Sequence, residues 1–263
     1  MSRLDVYLTE NAAAKSRERA KVIIKSGKVT VNGKVCTKPA FEVGDDDIVV
    51  SQPDDLAYVG RGGLKLAKAF DAFGLDVQGL VCADIGASTG GFTQCLLENG
   101  AKTVYAVDVG HGQLDGSLLD DSRVVNCEGV NARELTKDMF PQQIRFISVD
   151  VSFISLELII KPLCDVLADC GEMAVLIKPQ FEAGKKALNK KGIVKDPKDH
   201  IRVLEKLVCA FNMQNLFVKG LTFSAVTGGD GNIEYLAHLC KQRCDNSDID
   251  IAALVKDAFE HFK

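Results

Sequence analysis

The run from Val81 to Thr93 constrains the fold of this chain more than any other stretch. It begins as an apolar strand, passes through a turn of small residues and continues as the start of a helix. Glycines and small hydroxyl side chains let a ligand approach the backbone closely, and a helix N-terminus offers unpaired N–H groups. Twenty-two positions after Gly86, a second apolar run ends in the carboxylate of Asp108. An acid at that place in a βαβ unit commonly binds ribose hydroxyls, so the pattern predicts a nucleoside-type cofactor site.

The glycine spacing narrows the choice of cofactor. A dinucleotide fingerprint needs Gly-x-Gly-x-x-Gly, and the second glycine, which makes room for a pyrophosphate, is replaced here by Ser88. A phosphate-loop NTPase is excluded because no Gly-Lys-Ser/Thr ending follows. Asp84 is placed to accept hydrogen bonds from an amino acid's ammonium group, directly or through water. Carboxylates on both sides of a glycine loop suit S-adenosylmethionine, whose two ends are an amino acid and an adenosine. The alternative is a tight strand-to-helix turn without a ligand. The predicted cofactor-binding residues are Asp84, Gly86, Ala87, Ser88, Thr89, Gly90, Gly91, Phe92 and Asp108.

The cysteines favour reduced thiols over disulfides or a metal site. Nine cysteines are present, but none forms a Cys-x-x-Cys pair, and Cys240 and Cys244 beside His238 lack the four spaced ligands of zinc. Cys82, Cys95, Cys164 and Cys209 lie within apolar segments. We therefore predict buried thiols, no metal and a cytoplasmic location.

Membrane insertion is not expected. The N-terminus lacks a charged-then-apolar signal segment, and charged residues interrupt the most apolar stretch, residues 146–167. Residues 1–38 instead concentrate positive charge, with nine Lys or Arg against three acids, although the whole chain has a net charge of −4.

A small basic module is predicted over residues 1–50. Ser16 is a suitable N-cap for a helix to about Ser26, and Asn32-Gly33 predicts a hairpin turn between two short strands. The string Arg3-Leu4-Asp5-x-x-Leu8, Ser16-Arg17-x-x-Ala20, Ile24-x-x-Gly27-x-Val29-x-Val31-Asn32-Gly33 closely resembles the S4-like RNA-binding fold. A solvated basic face is the alternative, but the resemblance implies phosphate contacts. The candidate RNA-binding residues in this module are Arg3, Arg17, Lys21, Lys25 and Lys28.

Residues 51–62 are predicted to be a linker, and residues 63–263 a second, α/β domain. Strands are predicted near 81–85, 102–107, 123–126, 144–149, 171–177, 216–223 and 233–237, with helices between them and a last helix near 248–262. Such alternation predicts a mostly parallel, doubly wound Rossmann-like sheet, whose ligands bind at the C-terminal strand ends.

Four charged residues fall at the edges of these elements. Lys65 opens a helix, Asp150 and Lys178 end strands, and Glu234 follows a glycine-rich loop. Taken singly, each is typical of a surface ion pair. A lysine directly between Val175-Leu176-Ile177 and Pro179 is harder to explain in that way.

Together these motifs resemble the TlyA (haemolysin A-like) family almost end to end. The resemblance is carried by Lys-Pro-Gln-Phe-Glu around Lys178 and by Asp-Val-Ser-Phe-Ile-Ser around Asp150. It implies an S-adenosylmethionine-dependent rRNA 2′-O-methyltransferase with an FtsJ/RrmJ-type catalytic domain, a cytidine target, and ribosomal RNA or ribosomal subunits as partner. It also implies that Lys65, Asp150, Lys178 and Glu234 form the catalytic tetrad.

In the expected reaction, Lys178 positions the ribose hydroxyl and helps to remove its proton. Lys65 favours that proton transfer by charge repulsion or stabilises the developing alkoxide, and the two carboxylates orient the lysines. Residues 185–198 are lysine-rich and include Lys185 and Lys186; they are interpreted either as a solvated flexible loop or as a lid on RNA phosphates.

Three rival functions stay open at this point. The first is a non-catalytic ribosome assembly factor that has kept the fold, which predicts cofactor binding without methyl transfer. The second is a membrane-active haemolysin, which would need an apolar or amphipathic membrane segment that the sequence does not offer. The third is a small-molecule methyltransferase, against which the basic module argues.

Overall fold

Two units divide the chain, Met1–Gly60 and Arg61–Lys263, and each is described by itself. The computed structural model describes residues 2–11, 13–14, 17–25, 27–44, 46–51, 58–229, 231–243 and 249–263, without the side chains of residues 18, 19 and 22. The predicted cap at Ser16, the helix end at Ser26 and the middle of the linker lie outside the described residues. So does Cys244.

The small unit combines two helices with short strands. Two helices, α1 (Leu4–Glu10) and α2 (Arg17–Lys25), pack together, and the core of the unit includes Leu4, Leu8, Ala20 and Ile24. The elements are β1 (Ser2–Arg3), α1 (Leu4–Glu10), α2 (Arg17–Lys25), β2 (Val29–Val31), β3 (Lys34–Val35), β4 (Glu42–Val43) and β5 (Val49–Ser51). Two antiparallel sheets result, β1–β4 and β3–β2–β5.

The predicted hairpin turn forms at Asn32-Gly33. Both residues have positive φ, 51° and 77°, which a two-residue turn of this hand requires and which Asn and Gly tolerate best. The Asn32 side chain also bonds to Asp47 and to the Ile48 N–H, so the hairpin is tied to the strand that follows.

The large unit is built on a seven-stranded sheet. Its strands are β6 (Val81–Ile85), β7 (Thr103–Asp108), β8 (Val124–Glu128), β9 (Ile144–Val149), β10 (Leu167–Ile177), β11 (Phe217–Phe223) and β12 (Tyr235–Cys240). Their order is β11-β12-β10-β9-β6-β7-β8, and only the pairs that involve β12 are antiparallel. The prediction of a mostly parallel Rossmann-like sheet is therefore confirmed.

Helices connect these strands and cover the sheet. They are α3 (Gly62–Phe73), α4 (Gly91–Glu98), α5 (Gly116–Leu119), α6 (Ile160–Val166), α7 (Pro179–Glu182), α8 (Pro197–Met213) and α9 (Ile251–His261). Short 3₁₀ turns lie at Ala132–Glu134, Lys137–Met139, Leu156–Leu158 and Lys185–Ala187.

The main core lies between the sheet and these helices. The central strands are mainly apolar, and β9 apart from one residue and β10 from Met173 to Ile177 are buried, as expected for strands covered on both faces. Cys82 and Cys95 are buried thiols as predicted. Cys164 is only partly buried, and Cys209 is exposed because it lies on the outer side of α8.

Candidate active site

A cavity of about 720 Å³ opens at the C-terminal ends of β6, β7 and β9. Three loops contribute most of its wall: the glycine loop after β6, the segment after β8 and the segment after β9. Of the predicted site residues, the cavity lining includes Gly86, Ser88, Asp108 and Asp150. Parallel sheets bind ligands at this edge because the loops there diverge from the strand ends.

Asp108 shapes the mouth of this cavity. One oxygen of its carboxylate accepts a hydrogen bond from the Ser88 N–H at 2.8 Å, and the other accepts one from the Gly110 N–H at 2.7 Å. The carboxylate therefore links the glycine loop to the turn after β7. Both oxygens keep further lone pairs for a ligand hydroxyl.

Gly86 makes a close contact that explains why this position is glycine. Its φ is +87°, and a Cβ built on it would lie 2.3 Å from the carbonyl oxygen of Asp150. The glycine loop therefore packs directly against Asp150, at the start of the segment after β9.

Asp84, predicted to bind the amino-acid end of the cofactor, is not among the residues that line the cavity. Its side chain is fully buried, and its two oxygens accept hydrogen bonds from the hydroxyls of Thr93 and Ser148, at 2.7 and 2.9 Å. Burial raises the pKa of Asp84 to about 7, against the hydrogen bonds that favour its charged form. Asp84 thus supports the loop from below and does not line the cavity.

Most of the other predicted cofactor residues are buried. Ala87, Gly90, Gly91 and Phe92 are buried and Thr89 is partly exposed, and none of the five belongs to the cavity lining. Their contact with the cofactor stays a prediction.

The first of two lysine–carboxylate pairs lies beside the cavity. Lys178 Nζ is 2.5 Å from Asp150 Oδ1 and donates a hydrogen bond to Ser152 Oγ at 2.8 Å. The Lys178 side chain is 90% buried, and its stem passes Phe181, whose ring centroid lies 6.0 Å from Nζ. Asp150 and Ser152 together fix the position of the Lys178 ammonium.

The second pair joins Lys65 to Glu234. Lys65 Nζ donates to Glu234 Oε2 at 2.6 Å, and both side chains are at least 90% buried. The other oxygen of Glu234 accepts a hydrogen bond from the Gln180 side chain at 3.2 Å. Because Gln180 lies two residues after Lys178, this bond connects the two pairs.

Strand direction brings the four residues together. Ile177 pairs with Tyr235 in the antiparallel β10–β12 register, so Lys178 and Glu234 are the next residues at the same edge. Asp150 follows β9, the parallel neighbour of β10. Lys65 reaches this edge from the first turn of α3.

Several functional candidates were missed in the sequence. Asn131 lines the cavity and caps the Ala132–Glu134 turn by accepting from the Arg133 N–H. Phe153 also lines it, with φ of +63° and a side chain that is 91% exposed. An exposed aromatic residue in the left-handed region is uncommon. Asn131 was foreseeable from its place after a third parallel strand, but Phe153 was not.

A buried carboxylate joins the two motifs that carried the family resemblance. Glu182 accepts hydrogen bonds from the Ser155 hydroxyl at 2.6 Å and from the Leu156 N–H at 2.7 Å. Burial raises the pKa of this carboxyl. The contact fixes the segment from Asp150 to Ser155 against the segment that begins at Lys178.

Two of the candidate RNA-binding residues of the small unit contact one buried acid. Asp5 is fully buried and accepts from Arg3 and Arg17, whose side chains are about half exposed. These arginines lower the pKa of Asp5 to about 2. Lys25 is exposed, whereas Lys21 and Lys28 are partly covered.

The candidate RNA-binding residues of the large unit do not line the cavity. Lys185 and Lys186 are exposed on a short 3₁₀ turn after α7.

His238, considered with the cysteines as a metal ligand, contacts the Glu172 carboxylate at 2.8 Å. Among the described residues, no cluster of His, Cys, Asp and Glu could hold a metal ion.

Comparison with known proteins agrees with both units. Residues 58–241 match the family of FtsJ-like methyltransferases, and residues 2–49 match the S4 domain. The chain is 39% identical to the 16S/23S rRNA (cytidine-2′-O)-methyltransferase TlyA of Mycobacterium tuberculosis, over 92% of this chain and 90% of that protein. It is 44% identical to Hemolysin A of Brachyspira hyodysenteriae, over 90% and 98% of the two chains.

Solved structures give the same picture of the fold. A hemolysin-type protein from Streptococcus thermophilus is 41% identical, with a TM-score of 0.81 over 99% of this chain and 96% of that one. An S-adenosylmethionine-dependent methyltransferase from Mesorhizobium loti has a TM-score of 0.51 at 14% identity, over 68% and 99% of the chains. In the described part of this chain, no helix is long and apolar enough to cross a membrane.

Proposed function

The chain belongs to the FtsJ-like methyltransferase family and carries an S4 domain, and we propose that it transfers a methyl group from S-adenosylmethionine to a ribose 2′-hydroxyl of ribosomal RNA. One observation carries the proposal. Asp150 lines the cofactor cavity and contacts Lys178, so a proton-handling group lies beside the place where a methyl donor would bind. The names of the relatives support the substrate class.

The cavity fits the proposed cofactor. It is wide enough for a nucleoside with an attached amino acid, and Asp108 stands at its mouth with acceptor capacity for ribose hydroxyls. S-adenosylmethionine, when bound, supplies a methyl group already activated on a sulfonium. The protein therefore has to align the acceptor and remove its proton.

Lys178 is the group assigned to the acceptor hydroxyl. Its Nζ is fixed by Asp150 and Ser152, both of which line the cavity, so Lys178 is held next to the place where a ribose oxygen would enter. To act as a base, Lys178 must first release one ammonium proton to solvent; as the neutral amine it then takes the proton of the ribose hydroxyl when that oxygen is methylated. Fixing the approach of the hydroxyl supplies several kcal/mol of the barrier reduction.

Lys65 and Glu234 act around this step. The Lys65 ammonium provides positive charge for the alkoxide that develops on the ribose, in a buried site where such charges act strongly. Glu234 holds Lys65 in position, and Gln180 holds Glu234. The four tetrad residues thus have separate roles.

The nucleotide and the ribosomal particle are the finer part of the proposal. We assign a cytidine ribose in ribosomal RNA, since the curated relatives from Mycobacterium tuberculosis and Campylobacter jejuni are named as cytidine-2′-O-methyltransferases. The Campylobacter protein is named for 23S rRNA alone, whereas the mycobacterial protein is named for 16S and 23S rRNA. The experiment therefore tests both ribosomal subunits.

The test is transfer of labelled methyl to purified 30S and 50S subunits that lack the modification. Ribose-linked label with the wild-type protein, lost in Lys178→Ala, is the expected result and identifies the subunit. Measurable cofactor binding without label on either particle would overturn the proposal in favour of a non-catalytic assembly factor.

A further inference from the structure

The lysine-rich segment after α7 contains a small ordered hairpin, residues 188–194. Leu188 and Val194 form an antiparallel bridge, and the Asn189 N–H donates to the Ile193 carbonyl at 3.0 Å. The Asn189 side-chain oxygen accepts from the N–H groups of Lys191 and Ile193 at 2.8 and 3.0 Å. The lysine content of this segment is typical either of a flexible loop or of a lid, and the structure shows a tip held by internal hydrogen bonds.

The tip of the hairpin carries two exposed cations. Lys190 and Lys191 occupy the turn, and both side chains are exposed. The described part of the hairpin contains no acid, since residues 188–194 read Leu-Asn-Lys-Lys-Gly-Ile-Val. A turn held by its own hydrogen bonds presents these charges at a defined place, with less ordering cost on binding than a mobile loop.

The hairpin is hydrogen-bonded to Asn232, in the segment that leads into β12. Asn232 is 99% buried; its side-chain oxygen accepts from the Val194 N–H, and its side-chain NH₂ donates to the Gly192 carbonyl, both at 3.1 Å. Asn232 lies two residues before Glu234, which is at most about 7 Å of extended chain. The hairpin is therefore anchored next to the tetrad.

A second buried side chain completes the anchor. His200 Nε2 lies 3.0 Å from the Val194 carbonyl oxygen, and His200 Nδ1 lies 2.9 Å from the Tyr235 hydroxyl. Both backbone groups of Val194 are thus held by side chains linked to the start of β12. Buried hydrogen-bonded networks of this kind rigidify the elements they join.

We propose that the hairpin 188–194 is a fixed contact for the RNA phosphate backbone and that Asn232 is the positioning residue that sets its place relative to Glu234. The proposal rests on the RNA substrate proposed above. Lysine contacts to phosphate add affinity without reading sequence, so the hairpin orients the substrate while the tetrad acts on one ribose.

The experiment measures binding of the full chain to 30S and 50S subunits that lack the modification, at several salt concentrations and without cofactor. Lys190→Gln combined with Lys191→Gln is expected to make the dependence of log Kd on log salt shallower by about 1.4–1.8, the release of two phosphate contacts. The matched control is Lys256→Gln with Lys263→Gln, which removes the same charge from exposed lysines at the C-terminal helix and beyond. Equal slopes for the two double variants would overturn the phosphate contact.

Asn232→Ala tests the positioning role. It is expected to reproduce the shallower slope, to speed hydrogen exchange at the Val194 amide, and to show no further loss when both hairpin lysines are also replaced. Full additivity with those replacements would refute the anchor. If Asn232→Ala fails to fold, Asn189→Ala tests the fixed tip instead: it removes the bonds to the Lys191 and Ile193 N–H groups, leaves Asn232 in place, and should also make the slope shallower.

These outcomes are separable from those of the methylation assay. Binding and its salt slope are measured without turnover, so an absence of methyl transfer leaves them readable. Conversely, if the wild-type protein methylates the RNA and the hairpin variant binds with an unaltered salt slope, the proposed function stands and the phosphate contact of the hairpin is refuted.

Discussion

The Lys178 ammonium and the Asp150 carboxylate are 2.5 Å apart, and the same carboxylate lines the cofactor cavity. Asp150 follows the parallel strand β9, and Lys178 follows its neighbour β10, so two separate sequence motifs meet in one ion pair. The pair connects the methyl donor's proposed site to the group assigned to the acceptor hydroxyl.

Replacement of Lys178 tests that assignment. Lys178→Ala is expected to lower kcat by about 10²- to 10⁴-fold, the usual contribution of a positioned acid–base group, and to leave cofactor affinity nearly unchanged. Lys178→Arg keeps the positive charge but cannot accept the proton, so it should be almost as inactive. Single-turnover methylation measures both. An active arginine variant would assign Lys178 to electrostatic orientation instead.

Asp108 should control cofactor affinity rather than chemistry. Its carboxylate holds the Ser88 and Gly110 N–H groups and faces the proposed ribose site. We expect Asp108→Ala to weaken S-adenosylmethionine binding by about 10- to 100-fold, the cost of losing one or two hydrogen bonds to a charged group. Calorimetric titration measures this effect, with Asp71→Asn on the exposed side of α3 as control. A large fall in kcat at saturating cofactor would contradict the assignment.

The buried carboxyl of Asp84 predicts a pH-dependent stability of the large unit. Its pKa is about 7 in the folded protein and 3.8 in the reference state, so the folded protein binds the proton more tightly. The contribution of this group to the free energy of unfolding is therefore largest below pH 4. It falls by roughly 4 kcal/mol as the pH rises to 7, and is constant above.

Asp84→Asn removes the titrating group and isolates this effect. The difference between wild type and variant in the free energy of unfolding, followed by circular dichroism in urea, should change with pH between 4 and 7. A difference that is the same at every pH would show that Asp84 stays ionised, with its pKa near the ordinary value.

Gly86 and Gly79 offer a matched pair for the packing of the cofactor loop. Both have positive φ, 87° and 70°, but an added Cβ meets the Asp150 carbonyl at 2.3 Å only at Gly86 and meets nothing within 4 Å at Gly79. Gly79→Ala should cost about 1 kcal/mol from backbone conformation alone. Gly86→Ala should cost about 2–3 kcal/mol more, because backbone must move, and should also lose cofactor binding. Thermal unfolding of the two variants compares them, and equal losses would count against the close contact.

Replacement of Asp5 distinguishes the effect of net charge on RNA binding from the effect of how Arg3 and Arg17 are oriented. Asp5→Asn removes a negative charge from the small unit, so simple Coulomb attraction predicts tighter RNA binding. We expect weaker binding, by a few-fold, because Arg3 and Arg17 lose the buried acid that orients them. Asp46→Asn, at an exposed acid of the same unit, should bind equally well or more tightly. Binding of ribosomal subunits to the two variants decides between charge and orientation.

The same substitution has an acid-stability signature. The pKa of Asp5 is lowered to about 2, so its contribution to stability is present above pH 4 and is lost as the pH falls toward 2. Asp5→Asn should remove that acid-dependent loss, which a pH series of thermal unfolding curves between 2 and 5 measures.

Local pattern was sufficient for much of the fold. The strand from Val81 to Ile85, the turn after it and the acid at Asp108 are set by residues near each other in the chain, through apolar runs and glycine conformation. The Asn32-Gly33 turn was readable for the same reason. The family resemblance, in turn, depended on short motifs around Asp150 and Lys178.

Only the tertiary structure decided which side chains share a site and which are turned away from it. Lys65 and Glu234 are 169 residues apart and meet because α3 and the antiparallel strand β12 both begin at one edge of the sheet. Asp84 is a predicted ligand contact, and its carboxylate is buried and accepts hydrogen bonds from the Thr93 and Ser148 hydroxyls. Sequence spacing determines which element a residue belongs to. The direction of its side chain, and its partners across the sheet, follow from packing between elements that are distant along the chain.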